Sequence, residues 1–259
     1  MSLFALVSPG GSPGCTTTAL AITLTWPGPV TLAECDPSGG DILAGLFAGH
    51  LPAPRGLLGV AFEASRGLAA MSAEASSQLA ALDSDGERMF LPGLSDPRQA
   101  LGVAPAWAAI ARMMSSQRSD VIADCGRLDA GDGQPAGVLA EAALVALVMR
   151  SSLRQVAAAR PRIEMLTQLL GGSDRLGMLL VGDGIHGSAE ITRTLRVPVL
   201  ASLPHDAKTA AVLSDGVGRR ASLEDRPLIR AAQAACAAIT KAASEARPLD
   251  LASTNGHVR

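Results

Sequence analysis

No lysine precedes Lys208, so the basic side chains in the first three quarters of the chain are almost all arginine. Tyrosine is absent altogether, with only four Phe and two Trp in 259 residues. A core of this size must then be built from Ala, Leu and Val, which suits close packing of helices on a sheet. Cysteine is sparse and scattered: Cys15, Cys35, Cys125 and Cys236 form no C-x-x-C pair. That spacing argues against a zinc site and a disulfide framework, and fits a reducing, cytoplasmic setting. Net charge is only −2, so no global basic field draws the chain to nucleic acid or an acidic membrane. DNA binding is therefore unsupported by charge. No apolar run reaches membrane-spanning length. The first one, 3–7, is too short for a signal segment. Repeats and low-complexity linkers are missing too, which predicts one domain over 1–246 and a polar, frayed tail over 247–259.

Hydrophobic residues make up 48% of the chain and charged ones 18%, ample for a large core. Apolar strand-like runs lie at 3–8, 30–35, 88–93, 119–124, 142–149, 175–181 and 197–203. Helical patterns lie between them, at 16–25, 61–82, 104–116, 151–170, 187–195 and 226–246. A helix is also expected to begin at Ile42–Phe47, and loops are expected at 50–60 and 128–137. Continuous apolar strands alternating with helices predict a doubly wound, mostly parallel α/β sheet of about seven strands, covered on both faces.

Parallel sheets bind ligands beyond the carboxyl ends of their strands. Three polar turns fall there: 8–17, 34–41 and 124–127. The first, Ser8-Pro9-Gly10-Gly11-Ser12-Pro13-Gly14-Cys15-Thr16-Thr17, joins a strand to a helix start. Small residues there let backbone N–H groups approach an anion, with the helix dipole behind them. Gly11, Gly14 and the backbone through Thr17 would wrap phosphates, and the Thr16 hydroxyl would ligate Mg²⁺. Asp124 would supply a carboxylate near that metal, and Asp36 would orient a water. As ordinary punctuation, the same residues would be turn formers, with Thr16 or Thr17 capping the helix. Where a phosphate loop normally carries lysine, the residue is Cys15. At a helix N-terminus its thiol is a candidate for a lowered pKa. Arg150, Arg154, Arg160 and Arg162 surround one helix, which reads as a solvated face rather than a DNA stripe. His50, His186, His205 and His257 show no ligand spacing.

The motifs resemble those of the ParA/MinD group of P-loop ATPases, whose loop reads K-G-G-x-G-K-T-T. Gly10 through Thr17 align with it without gaps. Glu34-Cys35-Asp36-Pro37-Ser38-Gly39-Gly40-Asp41 is similar to that group's D-x-D-P-Q-G-N segment. Asp120–Gly126 resembles its D-x-x-x-x-D switch, and Leu200–Asp206 its late I-P-x-D segment, followed by a helix and Ser214-Asp215-Gly216. The resemblance covers about 3–240. It implies ATP or ADP held by Gly10, Gly11, Ser12, Pro13, Gly14, Cys15, Thr16, Thr17, Pro204 and Asp206. It also implies Mg²⁺ at Thr16 and Asp124, and Asp36 as the catalytic group of an active member. Asp183 falls near the adenine-reading Asn-Arg turn, without either residue. Both lysines of the loop pattern are replaced, at Gly10 and Cys15.

Two functions follow from the resemblance. One is a catalytically silent positioning protein that docks to protein partners as a homodimer, similar to the TadZ/CpaE branch that places pilus or secretion machinery. In it, ATP/ADP and Mg²⁺ binding is weak or absent. The other is a slow partitioning ATPase using Asp36 and Asp124, with Arg55 or Arg127 in place of the lysines. The tail lacks the basic amphipathic helix of MinD-type membrane binding.

Overall fold

The computed structural model describes residues 1–48, 56–129, 131–216 and 223–246. The expected tail, Arg55, His50 and His257 lie outside them. β1 (Leu3–Ser8) is buried along its whole length. Leu3, Ala5 and Val7 enter one core, while Phe4 and Leu6 enter another. A strand sends successive side chains to opposite faces, so a wholly apolar strand needs cover on both sides.

The chain then runs through α1 (Cys15–Thr25), β2 (Val30–Glu34), α2 (Gly56–Phe62), α3 (Leu68–Gln78), β3 (Ala80–Ala81) and β4 (Arg88–Leu91). Next come α4 (Ala100–Val103), α5 (Trp107–Ser115), β5 (Asp120–Arg127), α6 (Ala136–Glu141), β6 (Leu144–Met149) and α7 (Leu153–Leu170). After these follow β7 (Leu176–Val181), α8 (Ser188–Leu195), β8 (Val199–Leu203), α9 (Ala207–Asp215) and α10 (Pro227–Glu245). The strands form an eight-stranded sheet ordered β3-β4-β2-β5-β1-β6-β7-β8. All neighbours are parallel except β3 and β4. Residues of α1, α9 and α10 fill the core on one face. Residues of α2 to α8 fill the other.

This is the doubly wound α/β architecture that the strand pattern predicts. The eighth strand is β3, a two-residue antiparallel edge too short to leave a periodic signal. Two local expectations are corrected. Residues 42–48 form successive turns rather than a helix. Gly45 is packed so tightly that a Cβ there would lie 1.8 Å from the Ser214 carbonyl oxygen. Within the expected 50–60 loop, residues 56–60 are helical, because Leu57 and Val60 are fully buried.

β5 lies between β1 and β2, so the three polar turns open at one edge. The crossover from β1 runs through α1 on one face, and that from β5 runs through α6 on the other. Helices leaving adjacent strands on opposite faces create the crevice in which such sheets bind ligands.

Candidate functional site

The crevice is a cleft of about 450 Å³ lined by the loop from Gly11 to Thr17, by Asp36 and Asp41, and by Gly126 and Arg127. Ser8, Leu20, Ile42, Leu213 and Ser214 complete its walls. The loop turns on glycines: Gly10 has φ +152°, Gly11 +67° and Gly14 +96°. These are backbone states that side-chain-bearing residues rarely adopt. Gly14 is the N-cap of α1, and no side chain caps the helix. The first-turn N–H groups of α1 therefore face the cleft without a side-chain acceptor, the arrangement that favours an anion. Thr16 and Thr17 are thus not caps. The Thr17 hydroxyl lies 3.3 Å from Ser214 Oγ, tying α1 to the end of α9.

Asp124 is 1% exposed. Its Oδ1 accepts from the Gly126 N–H at 3.1 Å, while Oδ2 is buried with no hydrogen-bond partner. Burial raises the pKa of this carboxyl; the Thr16 hydroxyl and Cys15 thiol that face it pull the other way. A buried acceptor left open is costly. A hydroxyl and a carboxylate with one unpaired oxygen at the N-terminus of α1 fit the oxygen-rich coordination that Mg²⁺ requires. Asp36 is half-buried, and its Oδ1 accepts from the Ser38 N–H at 2.7 Å. Its carboxyl lies flat on Gly126, where a Cβ would meet Oδ2 at 1.8 Å. Burial, with Asp124 and Asp41 nearby, raises its pKa.

Beneath these sits Glu34, 2% exposed. Its Oε1 accepts from the Ile42 N–H at 2.9 Å and its Oε2 from the Gly93 N–H at 3.1 Å. Burial lifts its pKa to about 7, against the pull of those two N–H groups. Sequence reasoning named this residue only as part of a motif; its role is to knit the turn after β2 to the turn after β4.

The cationic side of the site is different. Cys15 is 7% exposed. Burial, together with Asp124 and Asp36, pushes its thiol well above the usual range. The expected lowering is therefore reversed: desolvation and two carboxylates outweigh the helix dipole, and the thiol stays protonated. Cys125 is likewise pushed up, by a hydrogen bond with the buried Cys35 thiol and by burial. Among the described lining residues Arg127 carries the one positive charge, and its Nε pairs with Asp129 Oδ1 at 3.1 Å. Neither lysine lines the cleft; Lys241 pairs with Glu245.

Pro204 and Asp206 are not among the residues lining this cleft. Asp206 caps α9, accepting from the Thr209 N–H at 3.1 Å and its hydroxyl at 2.6 Å. Of the arginines around α7, Arg150, Arg154 and Arg160 are exposed, whereas Arg162 donates to the Leu128 carbonyl and pairs with Asp129. His186 pairs with Glu190. The described residues hold no group of three or more His, Cys, Asp or Glu able to bind a metal, and no helix long and apolar enough to cross a membrane.

No family model matches the sequence, and no curated protein matches it. Solved structures do. The cell division ATPase MinD of Pyrococcus furiosus superposes with a TM-score of 0.71 at 15% identity, over 93% of this chain and 98% of that one. The ParA family ATPase of Chlorobium tepidum gives 0.71 at 14%, over 91% and 97%. The septum site-determining protein MinD of Pyrococcus horikoshii, solved with Mg-ADP, gives 0.69 at 13%, over 96% and 99%. At such identities the likeness is one of fold: this chain has the mostly parallel α/β architecture of the MinD and ParA P-loop ATPases.

Proposed function

We propose that the chain is a ParA/MinD-like positioning or scaffolding protein, a pseudo-ATPase whose nucleotide binding is weak or lost. The observation that carries this reading is the charge of the cleft. Asp36 and Asp41 line it with the buried Asp124 behind them, and Arg127, already paired with Asp129, is the one positive charge among the described lining residues. Phosphate groups brought into such a site meet carboxylates without the two cations that the loop pattern normally supplies. Each charge-assisted contact of that kind is worth roughly 1.5–3 kcal/mol, and more where charge develops in a transition state. The protein then works by docking to protein partners, as a homodimer in the cytoplasm, in a process of the TadZ/CpaE kind. Support for a positioning role comes from relatives in fold described as cell-division and septum-site proteins.

A second reading, slow Mg-ATP hydrolysis, draws on a separate observation: Thr16 and the orphaned Asp124 Oδ2 preserve the metal side of the site. When bound, Mg²⁺ would neutralise phosphate charge there. Asp36 would hold a water, and Arg127 would be the available cation.

The two readings part in the cell. A fluorescent fusion of the full chain should form foci at fixed sites, and Asp36→Ala should leave their number and position unchanged. Foci that disperse or freeze in Asp36→Ala would overturn the pseudo-ATPase reading in favour of a nucleotide cycle.

A further inference from the structure

Gln155 sits in the first turn of α7, 145 residues from the loop it touches, and donates through Nε2 to the Gly10 carbonyl at 2.8 Å. The side chain is buried, and its Oε1 has no partner. A carbonyl can only accept, so the amide must present its nitrogen to Gly10. The unpaired oxygen is the cost of that orientation. Gln155 is itself held by a rigid element: Ser152 caps α7, its Oγ accepting from the Gln155 N–H at 3.4 Å. The amide also packs against the loop backbone, since a Cβ on Gly11 would lie 3.2 Å from Nε2.

The peptide between Gly10 and Gly11 has no Cβ on either side, and both residues have positive φ. Nothing intrinsic to such a glycine pair fixes which way the peptide plane faces. A trans peptide sets its C=O and N–H on opposite sides. Holding the Gly10 oxygen on Gln155 therefore sends the Gly11 N–H to the far side. Gly11 lines the cleft, whereas Gly10 and Gln155 do not. We propose that Gln155 is the positioning residue of the 8–17 loop: its amide locks the Gly10–Gly11 peptide with the Gly11 N–H turned to the cleft, with neither a lysine nor a bound anion required. The consequence, a cradle kept in anion-ready shape by the protein itself, rests on reading the loop as a phosphate cradle. The lock does not.

The test is ¹⁵N relaxation on the full chain with no nucleotide added, so it is independent of whether the cleft binds one. In the unaltered chain the amides of Gly10, Gly11, Ser12 and Gly14 should show order parameters near the rigid-backbone value of about 0.85. Gln155→Met keeps the shape and removes the donor, and should drop them below about 0.6 while Tm and the rest of α7 hold. Gln155→Glu, whose ionised carboxylate only accepts, should do the same. A loop already mobile in the unaltered chain overturns the proposal without any variant. So does a loop that stays rigid in both variants. Loosening spread through α7 with a fall in Tm also overturns it, because Gln155 would then be an ordinary core residue.

Discussion

The side of the cleft where β2 and β5 end is acidic, with Asp36 and Asp41 on its lining and Asp124 buried behind them; the glycine loop that faces it carries no full positive charge. The loop still offers backbone N–H groups and the dipole of α1, but these are partial charges. The carboxylates of Asp36 and Asp124 are raised in pKa by burial and by neighbouring carboxylates, Asp124 and Asp41 for Asp36 and Asp41 for Asp124. Burial, reinforced by the same two groups, holds the Cys15 thiol neutral. One wall thus adds to the chemistry of the other: Cys15 is kept uncharged by its burial and by the carboxylates it faces.

The sharpest way to break the contrast is to dislodge the acidic wall. Gly126→Ala places a Cβ 1.8 Å from Asp36 Oδ2 at a residue with φ +61°. Strain and overpacking together should cost about 3 kcal/mol, read by urea denaturation. A loss under about 1 kcal/mol would mean that Asp36 is not seated on β5.

Glu34 sharpens the contrast through pH. Its folded-state pKa of about 7 lies above the ordinary 4.5, so the folded protein holds this proton more tightly than the unfolded chain does. Its contribution is favourable at low pH and is lost as pH climbs from about 4.5 to 7, amounting to about 3 kcal/mol. Asp36 and Asp124 act with the same sign. Denaturation midpoints should therefore fall across that window, and Glu34→Gln should flatten the slope. An unchanged slope would assign it to the other two.

A smaller effect is expected from the cationic wall. Cys15→Lys puts an ammonium beside Asp124 and Asp36 and should tighten Mg·ATP binding about tenfold by calorimetry. Phosphate release should stay at background unless Gly10→Lys is added. Appreciable turnover from the single change would show that the second lysine is dispensable. The double variant carries its own penalty, because Gly10 has φ +152° and a side chain there strains the backbone by roughly 1–3 kcal/mol. Smallest of all, Arg127→Ala should change stability by under about 1 kcal/mol, since its pair with Asp129 is exposed.

The strands and the three strand-end turns were legible in the sequence because each rests on a local cause. β1, β6 and β7 are apolar runs that only a doubly covered sheet can bury, and the turns are glycine and aspartate punctuation at their ends. The resemblance of motifs gave the same fold that the superposed structures have. What was not legible depends on contacts far apart in the chain. The turns at 42–48 follow from Gly45 meeting Ser214 and from Glu34 holding Ile42. The direction of the Cys15 shift follows from its burial and from two carboxylates distant in sequence, Asp124 on β5 and Asp36 in the turn after β2. Gln155 offered no signal at all: a glutamine near a helix start is unremarkable until the loop it holds comes to rest beside it. Asp206, named in the sequence for nucleotide holding, also caps α9, a use its spacing to Thr209 permits and a motif alone does not reveal.

Calorimetry of the full chain with Mg·ATP, paired with phosphate release, bears most directly on the charge of the cleft. A cleft without its cations should give no saturable heat below about millimolar nucleotide and no release above background. Tight binding with turnover that disappears in Asp36→Ala would contradict it.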